Sequence, residues 1–557
     1  MMGKLRVGIL VDDTVLPKYQ AEIVAELERS EWCEIVLFVK KQKGYDPYAN
    51  SLRFAFYRAL LKFDARVFGR SAPYLAPVSV KESIESTKLL EVTTRESDFF
   101  DEVDAKTAEK VREEKPDVLL NFGFKYITDG LLHTAKYGIW EFRHPYKPAG
   151  FWEVVENIPA TEVRLERIGC ALEPGYLLDC FKTVTHQKSI RKNFELLMWR
   201  SHMLMVKNLR QLHEKKEAYF SDKQTKTYFY HERPVQNYTE RKFPDFQFGF
   251  SDDLGKSAPT NSQSLRAVWK LTGKYLKFTA RKFFKMDRWI ILYAENRNGK
   301  ISPDFGSYKR IPLPSNDYFQ ADPFMVDEGE KSYLFYEELD YKTLKGYLLV
   351  AEYDETKKAF VNPHEILRKE YHLSYPNVFK HEGKYYMVPE TNENGTIDLY
   401  EAEQFPTRWK KVRTMIDNIT AVDATLYRKD GKWWMFVSEA EKEGFSFNDT
   451  LSIYYCDDFR TDEWIAHTLN PVVCDVTSAR PAGHLLEKEG KLFRPAQDCS
   501  GVYGRGMVIN EILELTETTY KERVVQHIRA DFADDLVAVH TFNHSKRFSV
   551  IDAIKSR

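Results

Sequence analysis

The chain is short of cysteine. Six occur in 557 residues, at 33, 170, 180, 456, 474 and 499, and none forms a CxxC pair. A cysteine-based zinc site and a disulfide framework are both unsupported, and a reducing compartment is implied. A charge of one sign is also missing, because 82 Lys and Arg face 83 Asp and Glu for a net charge of −1. Nucleic acid is therefore not an expected partner, and any charged partner must be met by a local patch. No run reaches the roughly 18 apolar residues of a membrane span. The first ten residues lead into a strand and lack the apolar core and small-residue cleavage site of a leader, so the expected location is the cytoplasm. There is no phosphate-binding P-loop. What remains is a composition with 43% hydrophobic and 30% charged residues, which suits a folded chain. At ~150 residues per domain there is room for two to four domains. Aromatics are abundant, with 32 Tyr, 37 Phe and 10 Trp. Such rings fit many short strands, and they also suit sugar-binding surfaces.

The first part, 1–216, alternates strand and helix. Leu5–Val11 and Glu34–Val39 read as strands separated by a helix over Gln20–Arg29. Ala105–Glu114 reads as a helix ending before Pro116, and Asp117–Phe122 as a central strand. Ser189–Lys216 carries no Pro or Gly and reads as one long helix. This order predicts a parallel twisted sheet of Rossmann type.

The segment 217–264 has no periodicity and reads as a linker. Over 265–288, Arg266, Lys270, Lys274, Lys277, Arg281, Lys285 and Arg288 recur at steps of three and four. They share one ~100° arc of a helix, opposite Trp269, Leu276 and Phe283. The pattern predicts a basic amphipathic helix with two readings. It is either a contact with an anionic membrane surface or an interdomain helix whose apolar face packs on the propeller and whose basic face is merely solvated.

From 289 onward the period is two. Strand starts near Ala321, Ser374, Ala421 and Ser478 are spaced by 47 to 57 residues, each followed by a charged Gly turn and a return strand. Repeats of that length imply propeller blades, and 289–557 predicts an all-β five-bladed β-propeller, with Val539–Ala553 closing the ring onto the first strands.

Two stretches carry resemblances. GIWEFRHPYKPAGFWEVVENIPATEVRLERI, at 138–168, resembles the core of the formyltransferase fold of methionyl-tRNA formyltransferases and sugar N-formyltransferases. That family has an Asn-x-His-Pro segment and a later Asp. His144-Pro145 matches, Phe142 stands at the Asn position and Glu173 at the Asp position. The resemblance implies a formyltransferase-like α/β domain with a degenerate site, since Phe142 cannot polarise a formyl carbonyl. The second half is similar to the N-terminal propeller of plant glucosamine inositolphosphorylceramide transferases. ADPF at 321–324, HLSYP at 372–376, VPET at 388–391, LYEAEQFPTRW at 399–409, VDATL at 422–426, ARPAG at 479–483 and RPAQDCSGVYG at 494–504 carry it. The nucleotide-sugar transferase domain of those proteins is a separate part of their chain. The architecture also resembles arabinanase and β-xylosidase propellers, whose Asp base, tuning Asp and Glu acid would fall at Asp322, at the position of Asn377, and at Asp423 or Glu439.

The inner strands of a propeller line its channel. Asp322, Asn377, Asp423 and Arg480 stand near the starts of successive inner strands, and Glu390, Glu439, Arg494, Gln497 and Asp498 near the ends of the return strands. Asp322, Asp423, Glu439 and Glu390 are the candidate catalytic carboxyls, because two carboxyls flanking a sugar supply acid and base. Arg480 and Arg494 would suit a phosphate or carboxylate. Tyr375, Tyr503, His540 and His544 would complete a sugar cradle. His540 and His544 do not suggest a metal, since four residues of strand separate them by roughly 13 Å. The main functional reading is a sugar transferase of glycan or glycolipid assembly using a nucleotide sugar donor. A glycoside hydrolase, a sugar N-formyltransferase and a non-enzymatic glycan-binding protein stay open as alternatives.

Overall fold

A computed structural model describes residues 3–41, 52–68, 72–93, 95–96, 100–124, 126–127, 129–146, 148–169, 175–226, 259–284, 288–296 and 304–556. Two compact units emerge, 1–181 with 185–275, and 182–184 with 276–557.

The first unit is built on an eight-stranded sheet. Its strands are β1 (Leu5–Val11), β2 (Cys33–Lys41), β3 (Lys88–Val92), β4 (Val118–Asn121), β5 (Ile139–Arg143), β6 (Ala160–Arg167), β7 (Gly175–Val184) and β8 (Gln224–Lys226). They lie in the order β8-β7-β6-β5-β4-β1-β2-β3. The run β5-β4-β1-β2-β3 is parallel. Leu5, Val7, Ile9, Leu10 and Val11 are fully buried, as expected of a central strand covered on both faces. A Cβ at Gly8 would fall 2.5 Å from a Leu119 methyl and 2.8 Å from a Leu37 methyl, so a larger residue there would force these buried side chains to move. The chain runs outward through β1, β2 and β3, then returns to β4 beside β1. The crevice beyond β1 and β4 is thus a topological switch point.

The helices used below are α1 (Lys18–Arg29), α2 (Ala55–Phe68), α3 (Ala105–Glu113), α4 (Phe151–Glu156), α5 (Ile190–Lys215) and α6 (Asn261–Phe284). Helix α5 starts where the Ser189 hydroxyl accepts the Lys192 N–H at 3.0 Å.

Three expectations are corrected. The start of the expected linker belongs to the sheet, because Gln224–Lys226 pairs with Gly175–Leu177. Tyr219, just ahead of it, is buried and donates to Asn208 Oδ1 at 2.7 Å. Residues 227–258 lie outside the described residues. Helix α6 begins at Asn261 rather than 265, because Thr260 and Gln263 form a capping box. The Thr260 N–H donates to Gln263 Oε1 at 2.9 Å, and the Gln263 N–H donates to Thr260 Oγ1 at 3.5 Å. The basic arc of α6 is not simply solvated either. Lys270 pairs with Glu156, and Lys274 donates to the Val154 carbonyl. Ala267 and Leu271 pack inward, while Trp269 is 81% exposed. The side chains of Leu276 and Phe283 lie outside the described residues.

The second unit contains five four-stranded sheets. Four use consecutive strands over 318–367, 374–417, 421–466 and 486–529. The fifth joins Arg288–Glu295 and Lys309–Arg310 to Leu536–His544 and Phe548–Lys555, so the two ends of this unit share one blade. The five-bladed propeller is therefore observed. Glu382-Gly383, Asp430-Gly431 and Glu489-Gly490 all have positive φ, the signature of the I′ turns that match the strand twist. The fourth blade departs from expectation at its start. No strand forms at Ser478, and only an isolated bridge joins Pro481 to Ala496 before Leu486–Lys488. Proline cannot donate to the ladder, and Gly483 sits at φ +127°.

Glu153 on α4 offers a test of packing in the first unit. It is buried, and among the described residues neither carboxyl oxygen has a hydrogen-bond partner. Burial pushes its pKa up from 4.5 to about 7. The folded state thus holds this proton more tightly than the unfolded chain. The stabilisation is complete below pH 4.5 and lost as pH rises through about 7. Glu153→Gln is expected to remove this loss. Its advantage over the parent should grow to about 3 kcal/mol at pH 8.5, read from denaturation curves at pH 5 and pH 8.5.

Candidate functional site

The inner strands of the propeller share one irregularity. In the first blade the pairing register slips between Ala321 and Phe324, in the second between Ser374 and Asn377, in the third between Val422 and Thr425, and in the fifth between Val539 and Phe542. Each slip inserts one extra residue, so that two residues of the inner strand face one of the return strand, and these pairs are led by Asp322, Tyr375, Asp423 and His540. Arg480 takes the same place before Pro481 in the fourth. Asp322, Tyr375 and Asp423 have φ of 52°, 46° and 59°, a left-handed backbone that β-bulges beside functional sites often adopt.

These five residues are linked across the channel. Asp322 Oδ2 accepts the Tyr375 N–H at 3.2 Å, and Asp322 Oδ1 accepts the Thr541 hydroxyl at 2.8 Å. His540 Nδ1 lies 2.6 Å from Asp552 Oδ1, and its Nε2 lies 3.5 Å from Asp322 Oδ1. Asp423 Oδ2 accepts from Arg480 Nε at 2.7 Å and from Gln497 Nε2 at 3.1 Å. Tyr375, fully buried, shares a 2.8 Å hydrogen bond with Thr425, and its oxygen accepts the Gly483 N–H at 2.6 Å. Trp289 stacks on His540 at 3.8 Å between ring centres, and the Arg480 guanidinium lies 5.0 Å over the Tyr503 ring. Tyr503 is 41% exposed and marks where the cluster meets solvent.

The return strands add Glu337 and Glu390, each opposite the residue just ahead of the bulge. Glu390 accepts from the Ser374 hydroxyl and the Asn392 N–H, both at 2.8 Å. Glu337 Oε1 lies 3.3 Å from His372 Nε2. His372 Nδ1 accepts the Gly346 N–H at 3.0 Å, so a neutral ring carries its proton on Nε2, facing Glu337.

Burial and mutual repulsion govern the charges. Burial, then the nearby Asp423, raises Asp322 to about 6, although His540 works the other way. Burial, again with Asp423, raises Glu390 to about 7. Burial, with Asp322 and Glu390 close by, pushes Glu337 well above the usual carboxyl range. His540 is disfavoured as a cation by burial, but the Asp552 carboxylate outweighs this and its pKa is raised.

Several residues expected at the site stand elsewhere. Asn377 follows the bulge and accepts the Leu426 N–H at 3.4 Å between blades, and Tyr375 takes the axial place expected of it. Glu439 pairs with Ala421, one residue beyond the register of Glu337 and Glu390. Strand alternation gives Ser438 that place, and Glu439 instead accepts the Tyr454 hydroxyl at 2.9 Å. Arg494 is sequestered between strands, on Glu522 at 2.6 Å and the Ser478 and Ala479 carbonyls. Asp498 pairs with Arg529 at 2.5 Å. His544 lies beside Phe542, 6.3 Å between ring centres. The axial role of Asp552 and Glu337 was missed. Aligning the bulge dipeptides would have exposed Glu337, whereas nothing in the sequence repeat marks Asp552. Asp322, His540 and Asp552 could together offer ligand atoms to a metal. Asp552 is already engaged by the backbone N–H groups of Asp322, His540 and Thr541 and by the His540 ring. A surface groove of about 990 Å³, lined by Tyr333, Glu352, Tyr353 and Arg547 among others, contains none of the axial residues.

In the first unit, His144 follows β5, with its ring 5.7 Å from Phe194 of α5. Phe142 lies within β5 opposite Leu165. Glu173 lies outside the described residues.

Residues 306–548 match the family model described as glucosamine inositolphosphorylceramide transferase 1, N-terminal. Among curated proteins, the glucosamine inositolphosphorylceramide transferase 1 of Oryza sativa subsp. japonica is 37% identical over 223 residues, covering 40% of this chain and 29% of the relative. That of Arabidopsis thaliana is 34% identical, covering 39% and 28%. The chain thus spans less than a third of the length of these relatives. Similar solved structures include a family 117 glycoside hydrolase of Zobellia galactanivorans, at 12% identity, TM-score 0.32, and 49% of this chain against 90% of that one. Another is the catalytic domain of the family 62 α-L-arabinofuranosidase of Coprinopsis cinerea, at 11% identity, TM-score 0.34, and 47% against 97%.

Asp552→Ala would strip the acceptor from three buried backbone N–H groups and leave His540 without its counter-charge. A loss of about 3–5 kcal/mol is expected. Denaturant titration of the full chain, followed by tryptophan fluorescence, measures it.

Proposed function

We propose that this protein is a carbohydrate-active enzyme, a sugar transferase of glycan or glycolipid assembly that works at the axial site of its propeller. One observation carries this reading. Asp322 is buried and Glu390 half-buried on neighbouring blades, with carboxyl groups pushed to about 6 and about 7. A pair tuned to within about a unit of neutral supplies the base and the acid that glycosidic bond chemistry needs. Asp322, the more acidic, acts as base toward the attacking hydroxyl. Glu390 acts as acid toward the departing oxygen. Asp423, fixed by Arg480, faces developing positive charge on the sugar. Tyr503 offers an aromatic face at the solvent edge. Gln497 and Arg480 hold Asp423 in place.

The relatives' printed name supports a glycolipid of the inositolphosphorylceramide kind as acceptor and glucosamine as the transferred sugar. A nucleotide sugar is the fitting donor. The same acid–base pair favours a second reading, glycoside hydrolysis, in which water replaces the acceptor. The first unit is read as a module for the nucleotide, at the crevice beyond β1 and β4, or as a retired formyltransferase-like domain.

Incubation with a panel of nucleotide sugars is expected to release nucleotide only when an acceptor glycolipid is added. Asp322→Asn should lower turnover by about 10³-fold with little change in melting temperature. The rate should fall below about pH 6, where Asp322 takes up its proton, and above about pH 7, where Glu390 loses its own. Glu390→Gln should abolish the alkaline limb. Hydrolysis of aryl glycosides without nucleotide release would favour the second reading, and full activity in Asp322→Asn would overturn both.

A formyl-folate donor with amino-sugar nucleotides is expected to give no product, because Phe142 offers no group to the oxyanion. Turnover lost in His144→Ala would refute this.

A further inference from the structure

We propose that the α/β unit docks on an anionic lipid bilayer through a plate made by α2 and α6 together. The proposal stands apart from the chemistry assigned to the propeller.

Both helices rest on one apolar cluster. Phe54, Tyr57 and Leu60 enter it at the start of and along α2, and Ala267 and Leu271 enter it from α6. Their opposite faces are apolar as well, and exposed. On α2, Phe56, Phe63 and Val67 are 50%, 63% and 52% exposed. Their spacing of seven and four places them on one stripe. On α6, Leu265, Val268 and Trp269 are 54%, 44% and 81% exposed. Three aromatic rings turned outward on neighbouring helices exceed the scattered apolar residues of an ordinary surface.

The stripes meet at one corner. The Asn261 side chain accepts the Phe56 N–H at 3.0 Å and donates to the Leu52 carbonyl at 2.9 Å. Leu52 is itself 83% exposed. Asn261 lies on the same helical face as Leu265, Val268 and Thr272, so the apolar surface continues from one helix to the other.

Charge decides the occupant. Helix α6 contains no Asp or Glu and six Lys and Arg. Exposed Lys62, Arg66 and Arg266 border the apolar stripes. The one acid of α2, Asp64, is buried and accepts from the Ser189 hydroxyl at 3.0 Å and the Arg191 N–H at 2.8 Å. Exposed rings bordered by basic side chains are the arrangement that settles into the headgroup region of an anionic leaflet. A second copy of this plate would bring the same positive charges face to face.

The test is flotation of the full chain with vesicles of phosphatidylcholine, with and without 30% phosphatidylserine (roughly the anionic share of a cytoplasmic leaflet). Binding to the anionic vesicles at low salt is expected, at least ten-fold weaker in about 0.5 M salt. Phe63→Glu/Trp269→Glu should weaken it at least ten-fold, and Lys62→Glu/Arg266→Glu should flatten its salt dependence. All four side chains are exposed, so the melting temperature serves as the folding control. A third variant, Trp269→Phe, should bind yet lose quenching of its fluorescence by brominated lipid. No binding at low salt, or binding indifferent to Phe63→Glu/Trp269→Glu, overturns the proposal. So does a vesicle-free dimer that this double variant dissociates. Nucleotide release with a water-soluble acceptor should be unchanged in the double variant, which separates this result from the reading of the propeller.

Discussion

The Asp552 carboxylate is the point on which the propeller closes. Each bulge in an inner strand frees backbone N–H groups that a regular ladder would have consumed, and buried N–H groups must find an acceptor. Asp552 takes three of them, from Asp322 in the first blade and from His540 and Thr541 in its own. It thereby joins the last strand of the chain to the first full blade. The same logic passes onward. Asp322 receives the Tyr375 N–H of the second blade, and Tyr375 receives the Gly483 N–H of the fourth. Blades that share no strand pairing are thus held at the axis by polar bonds, while their flanks are held by rings such as Phe335, Phe405 and Trp409.

The bulges are costly in isolation. A left-handed aspartate or tyrosine stores of order 1–3 kcal/mol. The network offsets that cost and gains direction, because a bulged residue can aim its side chain along the axis. Tyr375 uses this to fill the channel. Its ring packs edge-on against Phe324 at 4.9 Å, and its hydroxyl is held by Thr425 and Gly483. A Cβ on Gly483 would approach the Phe542 carbonyl to 2.1 Å, so the chain there leaves no slack. With the axis filled at Tyr375, the exposed Tyr503 marks where a ligand could approach the carboxyls.

Much of this was legible in the sequence, and the rest failed for identifiable reasons. Period-two patterning with charged Gly turns gave the blades, and the aspartates of ADPF and VDATL stood out because an acid in an apolar strand needs a reason. Asn377 was preferred to Tyr375 because polarity, rather than register, guided the choice. One extra residue in the strand flips the facing of every later side chain, and a bulge leaves little mark in composition. The same blindness exchanged Glu439 for the place that Ser438 takes in the third blade, and it left Glu337 unnoticed. Arg494 resembled Arg480 in context, yet Glu522 and two carbonyls claim it, and partners distant in sequence cannot be read locally. In α6 the capping box Thr260-x-x-Gln263 was visible, but the periodicity of the basic residues drew the start to 265. Which helical face packs depends on neighbours such as Glu156, not on the helix alone.

The charge balance at the axis narrows what can bind there. Arg480 is the only arginine of the five axial residues, and Asp423 engages it at 2.7 Å while Asn448 accepts from its Nη1 at 3.1 Å. His540 is likewise committed to Asp552 at 2.6 Å. A phosphate placed among Asp322, Asp423 and Asp552 would meet three carboxylates and no uncommitted cation of this ring. In a medium of low dielectric that repulsion is severe. A neutral sugar meets the opposite situation. Its hydroxyls can donate to Asp322 and Asp423, and they can accept from Glu390 and Glu337, whose protons burial retains. On the proposed reading, any phosphate on a donor or acceptor is therefore received outside this ring of residues.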